Sequence, residues 1–115
     1  MDIETLKRWR REQRQLLIAA RLALDAATLD SSRQSIDMHI ERSFPGLAKA
    51  TLAICWPIKN EYDARHLARR LRAQGARTVL PVVVAPRTPL AFREWHPGVK
   101  LAEGAMGIPY PVASA

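Results

Sequence analysis

Two stretches of this 115-residue chain hold side chains whose types and spacing suit chemistry. In the first, Lys7, Arg10, Arg11 and Arg14 fall within about two helical turns. Guanidinium groups donate paired N–H bonds in one plane, so such a cluster suits phosphate or carboxylate oxygens. The same pattern also describes a solvated helix face, with Glu4 placed four residues before Arg8 to balance it. The second stretch is Trp56-Pro-Ile-Lys-Asn-Glu61, directly after a short apolar run. In open α/β sheets, loops leaving the carboxyl ends of strands line the crevice where ligands bind, and Glu61 stands in such a loop. It reads equally well as an acid favoured at the start of the next helix by the macrodipole.

Those side chains need elements to position them. Ile3, Leu6, Trp9, Gln13, Leu16 or Leu17, Ala20 and Leu24 recur at helical spacing, which predicts one amphipathic helix over the first 24 residues. Leu29-Asp-Ser-Ser32 offers capping chemistry, and Ile36, Ile40 and Phe44 follow at intervals of four, so a second helix is expected from about residue 31 to 44, stopped by Pro45-Gly46. The period then changes. Thr51-Leu-Ala-Ile-Cys-Trp56 is the nearly continuous apolar run of a strand covered on both faces. A helix from Asp63 to Gln74 is expected from Ala64, Leu67, Ala68 and Leu71, with Gly75 placed to end it. Thr78 to Val84 is again a strand, with Pro81 suggesting an edge or a bulge. Strand, helix, strand over so short a span is a βαβ unit. Pro89 to Trp95 forms a further strand, with Leu90, Phe92 and Glu94 on one side and Ala91, Arg93 and Trp95 on the other. The last 20 residues, punctuated by Gly104, Gly107, Pro109 and Pro111, read as loop. The expectation is α/β: two N-terminal helices, a βαβ unit and a further strand, the incomplete front part of a mostly parallel sheet, in one domain spanning 1–115.

The other searches for chemistry are empty. There is no Gly-rich phosphate loop, no Gly-x-Ser-x-Gly elbow and no cluster with metal-ligand spacing. His39, His66 and His96 are scattered, and Cys55 among apolar neighbours reads as a buried structural thiol. A single Cys excludes an internal disulfide framework and points to a reducing compartment. No apolar run approaches the roughly 18 residues of a membrane span, and Asp2, Glu4 and Glu12 are out of place in a targeting peptide. A cytoplasmic protein without a membrane partner is expected. The net charge of +7 is uneven: residues 1–58 hold nine Lys+Arg against seven Asp+Glu, and residues 59–115 nine against four.

The order of segments resembles a known family. Arg14-Gln-Leu-Leu-Ile-Ala-Ala-Arg21, Asn60-Glu-Tyr-Asp63, Gln74-Gly75, Val79-Leu-Pro-Val-Val83, Leu90-x-Phe-Arg-x-Trp95-x-Pro-Gly98 and Gly107-Ile-Pro-x-Pro111 are together similar to 5-formyltetrahydrofolate cyclo-ligases, also called methenyltetrahydrofolate synthetases. The resemblance runs in order over nearly the whole chain. It implies an α/β ligase that uses ATP and Mg²⁺ to convert 5-formyltetrahydrofolate into 5,10-methenyltetrahydrofolate, releasing ADP and phosphate. Phosphorylating the formyl oxygen makes a leaving group of it, and the neighbouring folate nitrogen then attacks, so the protein positions and neutralises charge. Carried over, Arg10, Arg11, Glu12, Gln13 and Arg14 correspond to the family's first ATP-contacting segment. Trp56 matches a folate-contacting position and Glu61 the folate-binding glutamate, whose carboxylate accepts hydrogen bonds from pterin donors. Family members continue into a glycine-rich loop that cradles the phosphates and contributes to the metal site. No such loop stands in this sequence, which implies an N-terminal portion or a naturally truncated relative.

A second reading is a non-catalytic basic binding module for nucleic acid or an acidic partner, using Lys59 to Arg77, where Arg65, Arg69 and Arg72 align at i, i+4 and i+7. No aromatic interleaving or nucleic-acid motif accompanies them, which disfavours a nucleic-acid partner. An incomplete parallel sheet also leaves an unpaired edge, an outlet for self-association.

Overall fold

A computed structural model describes residues 2–112. Helices α1 (Ile3–Leu22) and α2 (Ala26–Ser43) lead through a 3-10 turn at Pro45–Lys49 into β1 (Thr51–Ala53), α3 (Arg65–Ala73), β2 (Arg77–Val82) and β3 (Ala91–Glu94). Then come β4 (Leu101–Glu103), a 3-10 turn at Ala105–Gly107 and β5 (Pro109–Pro111). This is the expected mixed α/β order. The three-stranded sheet has β2 at its centre, parallel to β1 and antiparallel to β3, so parallel pairing is confined to the βαβ unit.

Both leading helices are capped by an aspartate. Asp2 accepts from the Thr5 N–H and Asp25 from the Thr28 N–H, each at 2.7 Å. The Asp25 cap moves the start of α2 to Ala26 and places Ser31 and Ser32, expected near its beginning, inside the helix. Helix α3 buries Leu67, Ala68 and Leu71 as its spacing predicts. Its end is a Schellman motif: the Gly75 N–H donates to the Arg72 carbonyl and the Ala76 N–H to the Leu71 carbonyl, both at 3.0 Å. Gly75 adopts φ 115°, a conformation that residues with a Cβ rarely take, which accounts for glycine there.

Pro81 lies in the central strand, not at an edge, and it explains why β1 is short. The Arg77 N–H donates to the Ala50 carbonyl and the Val79 carbonyl accepts from the Ile54 N–H, so odd-numbered residues of β2 face β1. The next odd residue is Pro81, which has no N–H to offer, and the parallel ladder stops there. β1 therefore ends at Ala53 instead of reaching Trp56. Cys55, beyond the ladder, is exposed and not the buried thiol its neighbours suggested.

The segment after Trp95, expected to be loop, instead carries a hairpin. β4 and β5 pair antiparallel, with Leu101 opposite Pro111 and Glu103 opposite Pro109. The Gly104 N–H donates to the Ile108 carbonyl and the Val112 N–H to the Lys100 carbonyl, so even-numbered residues of this strand make the ladder. Pro109 and Pro111 occupy the alternate positions, where no N–H is required. The Pro111 carbonyl points outward and accepts from Arg93 at 3.0 Å.

Register divides the main sheet into two unlike faces. Leu52, Thr78, Leu80, Val82, Ala91 and Arg93 share one face, against which α3 and the hairpin pack. Leu80, 1% exposed, joins Ala68 and Trp95 in its core, while Leu67, Leu71 and Ala76 pack with Ile40, Leu47, Ala48 and Leu52. Thr51, Ala53, Arg77, Val79, Pro81, Phe92 and Glu94 share the opposite face, which no element covers among the described residues.

Candidate functional site

After β1 the chain turns sharply at Ile58–Glu61. Lys59 and Asn60 adopt φ 49° and 61°, and the Glu61 N–H donates to the Ile58 carbonyl at 3.0 Å, a tight turn with both central residues left-handed. Asn60 tolerates that conformation; Lys59 is held in it from outside. The Arg21 Nε donates to the Lys59 carbonyl at 2.7 Å, and the Asn60 Nδ2 donates back to the Arg21 carbonyl at 3.3 Å. This reciprocal clamp joins the last turn of α1 to the turn that carries Glu61.

The clamp creates a groove of about 690 Å³ between α1 and the turn, lined by Trp9, Arg10, Gln13, Arg14, Lys59 and Glu61 among others. A helix advances about 100° per residue, which puts Arg10, Gln13 and Arg14 on one side and turns Arg11 and Glu12 away. Of the residues expected from sequence, the structure thus brings together Arg10, Gln13, Arg14 and Glu61, and leaves Arg11 and Glu12 exposed outside the groove. Trp56 is not part of it. Its ring packs edge-on against Trp95, centroids 5.8 Å apart, beneath the Arg65 guanidinium at 4.5 Å. The groove also gains Lys59 and Arg21, present in the sequence motifs but not expected as site residues, and Met106. Arg21 stands seven residues after Arg14, two helical turns on, and that interval was the available signal.

Arg10 and Arg14 on α1 therefore stand across an open groove from the turn that carries Lys59 and one carboxylate, Glu61, while Arg21 is engaged in the clamp. The Glu61 Oε1 accepts from the Ile58 N–H at 3.0 Å, and its other oxygen has no partner among the described residues. The cations suit a phosphate-bearing ligand and the carboxylate a ligand with paired donors. Among the described residues no group of three or more His, Cys, Asp or Glu gathers as a metal site. One carboxylate among cationic side chains is not a donor set that suits Mg²⁺.

On the other flank of Glu61 lies a second cavity of about 550 Å³, under which a polar junction ties α2 to the loop and to α3. Asp37, 2% exposed, is its centre. It accepts from Arg33 at 2.9 Å, from Arg70 at 3.2 Å and from the Tyr62 hydroxyl. Arg33 also pairs with Asp30 at 2.9 Å and Arg70 with Glu41 at 2.7 Å. Burial, and then the hydrogen bond to Asp37, push the Tyr62 phenol well above its ordinary range. The adjoining Asp63 is held below the usual carboxylate range, chiefly by its side-chain hydrogen bond with Arg65, at 2.8 Å.

The directions of these shifts imply stability that falls at both ends of the pH range. A carboxylate with a depressed folded pKa adds stability above its unfolded value, near 3.8, and loses it as pH falls through the folded value. A phenol with a raised folded pKa adds stability below about pH 10 and loses it as pH rises further. Urea midpoints are expected to be flat from about pH 5 to 9 and to fall on both sides. Tyr62→Phe should flatten the alkaline limb, and an unchanged limb would show that Tyr62 ionises freely in the folded chain.

The arginines of α3 are committed elsewhere. Arg65 pairs with Asp63 and lies over Trp56, Arg70 pairs with Asp37 and Glu41, and Arg72 donates to the Thr78 hydroxyl at 2.9 Å while lying over Trp95 at 4.7 Å. Among the described residues of that helix only Arg69 lacks such a tie, so no free basic stripe stands there.

The architecture is that of a small, open α/β protein whose groove lies beyond the carboxyl end of its first strand, where such sheets bind ligands. No helix among the described residues is long and apolar enough to cross a membrane. Among solved structures, the fold is similar to the NMR structure of 5,10-methenyltetrahydrofolate synthetase from Aquifex aeolicus, with a TM-score of 0.70 and 22% identity. The likeness covers 91% of this chain and 53% of that one, so the chain spans about half the length of that neighbour. No protein-family model and no curated protein matches the chain.

Proposed function

We propose that the chain carries the nucleotide- and folate-facing part of a 5-formyltetrahydrofolate cyclo-ligase, the ATP-dependent reaction that yields 5,10-methenyltetrahydrofolate, ADP and phosphate. The observation that supports this most directly is the groove, where Arg10 and Arg14 from α1 meet Glu61 from the loop after β1. These residues, some fifty positions apart, belong to two different motifs of the family the sequence resembles. The enzyme-named neighbour of the same fold agrees with the reading.

In this reading ATP supplies the phosphoryl group that activates the formyl oxygen. Arg10, Arg14 and Lys59 hold the phosphate oxygens and neutralise their charge. Glu61 accepts hydrogen bonds from the pterin ring donors and so fixes the folate relative to the cations; its Oε1 is already anchored by the Ile58 N–H, which limits its rotation. The clamp through Arg21 holds both walls in register.

The test separates the two ligands. Binding of 5-formyltetrahydrofolate, followed by calorimetry, is expected to weaken about tenfold in Glu61→Gln, the loss of one charge-assisted hydrogen bond, with ATP binding unchanged. Equal loss for both ligands would remove Glu61 from the folate side. Release of ADP dependent on 5-formyltetrahydrofolate is the activity to assay, and a chain that binds neither ligand would overturn the proposal.

A further inference from the structure

The chain exposes more surface than a folded monomer of its mass. Its accessible area is 8556 Å², whereas the scaling for monomeric proteins gives about 6,300 Å² at this mass. The radius of gyration, 17.0 Å, compares with about 13 Å for a compact domain of this length. The excess, about 2,200 Å², is the amount each partner buries in a large obligate interface.

Two features account for much of it, and they are complementary. One is the bare sheet face, where Phe92 is 55% exposed, and the strand ends beside it leave Val83 65% and Leu90 49% exposed. Strands of a βαβ unit are normally covered on both faces by helices. The other is α1, a twenty-residue helix that buries no side chain. Leu16 is 63% and Trp9, at the rim of the groove, 51% exposed, and with Ala20 they lie within about 40° of one another around the helix, forming an apolar stripe that borders the groove face. The chain thus has an uncovered sheet face and an amphipathic helix none of whose side chains is fully buried. The Arg21 clamp fixes α1 beyond the end of β1, away from its own sheet face.

We propose that a second copy of this chain supplies the cover: two copies associate about a twofold axis, and the Leu16 stripe of each α1 packs on the Phe92 face of the other. Each copy gives a helix and receives one, so both patches are buried twice and the assembly closes at two. This association uses faces of the sheet, not its unpaired edges. It leaves Arg10, Gln13 and Arg14 facing the groove.

Sedimentation equilibrium over a dilution series tests it. The chain is expected to run as a dimer at micromolar concentration; a monomer throughout would overturn the proposal. Leu16→Glu and Phe92→Glu, both at exposed positions, are each expected to yield monomers with unchanged far-ultraviolet circular dichroism. Mixing the two variants distinguishes this geometry from others. The Phe92→Glu copy keeps an intact helix stripe and the Leu16→Glu copy an intact sheet face, so the mixture regains one interface and forms a heterodimer at least tenfold tighter than either variant alone. Helix-to-helix or sheet-to-sheet pairing would give no such recovery, and its absence would overturn the arrangement. A measurement free of destabilising charges uses Leu16→Cys and Phe92→Cys chains, each also carrying Cys55→Ser. A bismaleimide linker is expected to join unlike chains in preference to like ones, and the reverse preference would refute the pairing.

Discussion

Asp37→Ala is expected to lower the free energy of unfolding by about 3 kcal/mol, the range found when one member of a buried ion pair is removed. For a domain of this size that amounts to a fall in Tm of about 15 °C. Asp37 is the acceptor shared by Arg33 from α2, Arg70 from α3 and Tyr62 from the loop between β1 and α3, so its loss uncouples three segments at once. The half-buried Tyr62 hydroxyl loses its partner, and a partly desolvated donor without an acceptor adds to the loss. The arginines are less affected, because Asp30 and Glu41 still accept from them. Asp37→Asn, which keeps an acceptor oxygen but not the charge, should lose about half as much. Urea unfolding followed by circular dichroism measures both. A loss below about 1 kcal/mol in the alanine variant would show that the two outer ion pairs hold the junction unaided.

The double replacement Arg10→Ala/Arg14→Ala is expected to weaken ATP binding on the order of 100-fold, from two charge-assisted hydrogen bonds at about 1.5 kcal/mol each. The low end of the usual range applies because the groove is open to water. Arg8→Ala/Arg11→Ala, which removes the same charge, is the matched control: those side chains lie outside the groove on the same helix, and a change of less than about twofold is expected. Comparable losses in the two variants would mean that the positive field of α1 attracts the nucleotide without a defined seat. Salt separates the same alternatives, since diffuse attraction is screened within about 10 Å at 0.1 M ionic strength.

Much of this architecture is legible in the residues, and the failures have physical causes. Periodicity located α1, α3 and β3, and Gly75 marked the end of α3 because that backbone position needs a positive φ. The alternation in Pro89 to Trp95 also assigned its faces correctly, with Trp95 buried and Phe92 exposed. Prolines misled in two opposite ways. Pro81 marked a break in the ladder, but the break shortens the partner strand and not its own. Pro109 and Pro111 suggested loop, although alternate positions of a two-stranded hairpin need no N–H. Half of the groove was visible as motifs, Arg10 to Arg14 and Glu61. That they converge was not, because convergence depends on Arg21 reaching across 38 residues to a backbone carbonyl, a contact without local pattern. Trp56 shares the motif with Glu61 and yet packs against the core, its ring edge-on to Trp95 and beneath the Arg65 guanidinium. Asp37 escaped notice altogether: in sequence it is one more acid on a polar helix.

The mooring of α1 at one end has a consequence for ligand recognition. Among the described residues, beyond its Asp2 cap, the side-chain hydrogen bonds that tie it to the rest of the chain are the two made at Arg21, in its last turn. If α1 pivots about that mooring, the groove has one wall fixed to the sheet, carrying Glu61 and Lys59, and one wall whose position is an ensemble average. A ligand spanning both selects the docked members of that ensemble, and its apparent affinity is its intrinsic affinity multiplied by the fraction of time α1 is docked. Whatever holds α1 still, a covering partner included, raises that fraction and tightens the site without touching the ligand.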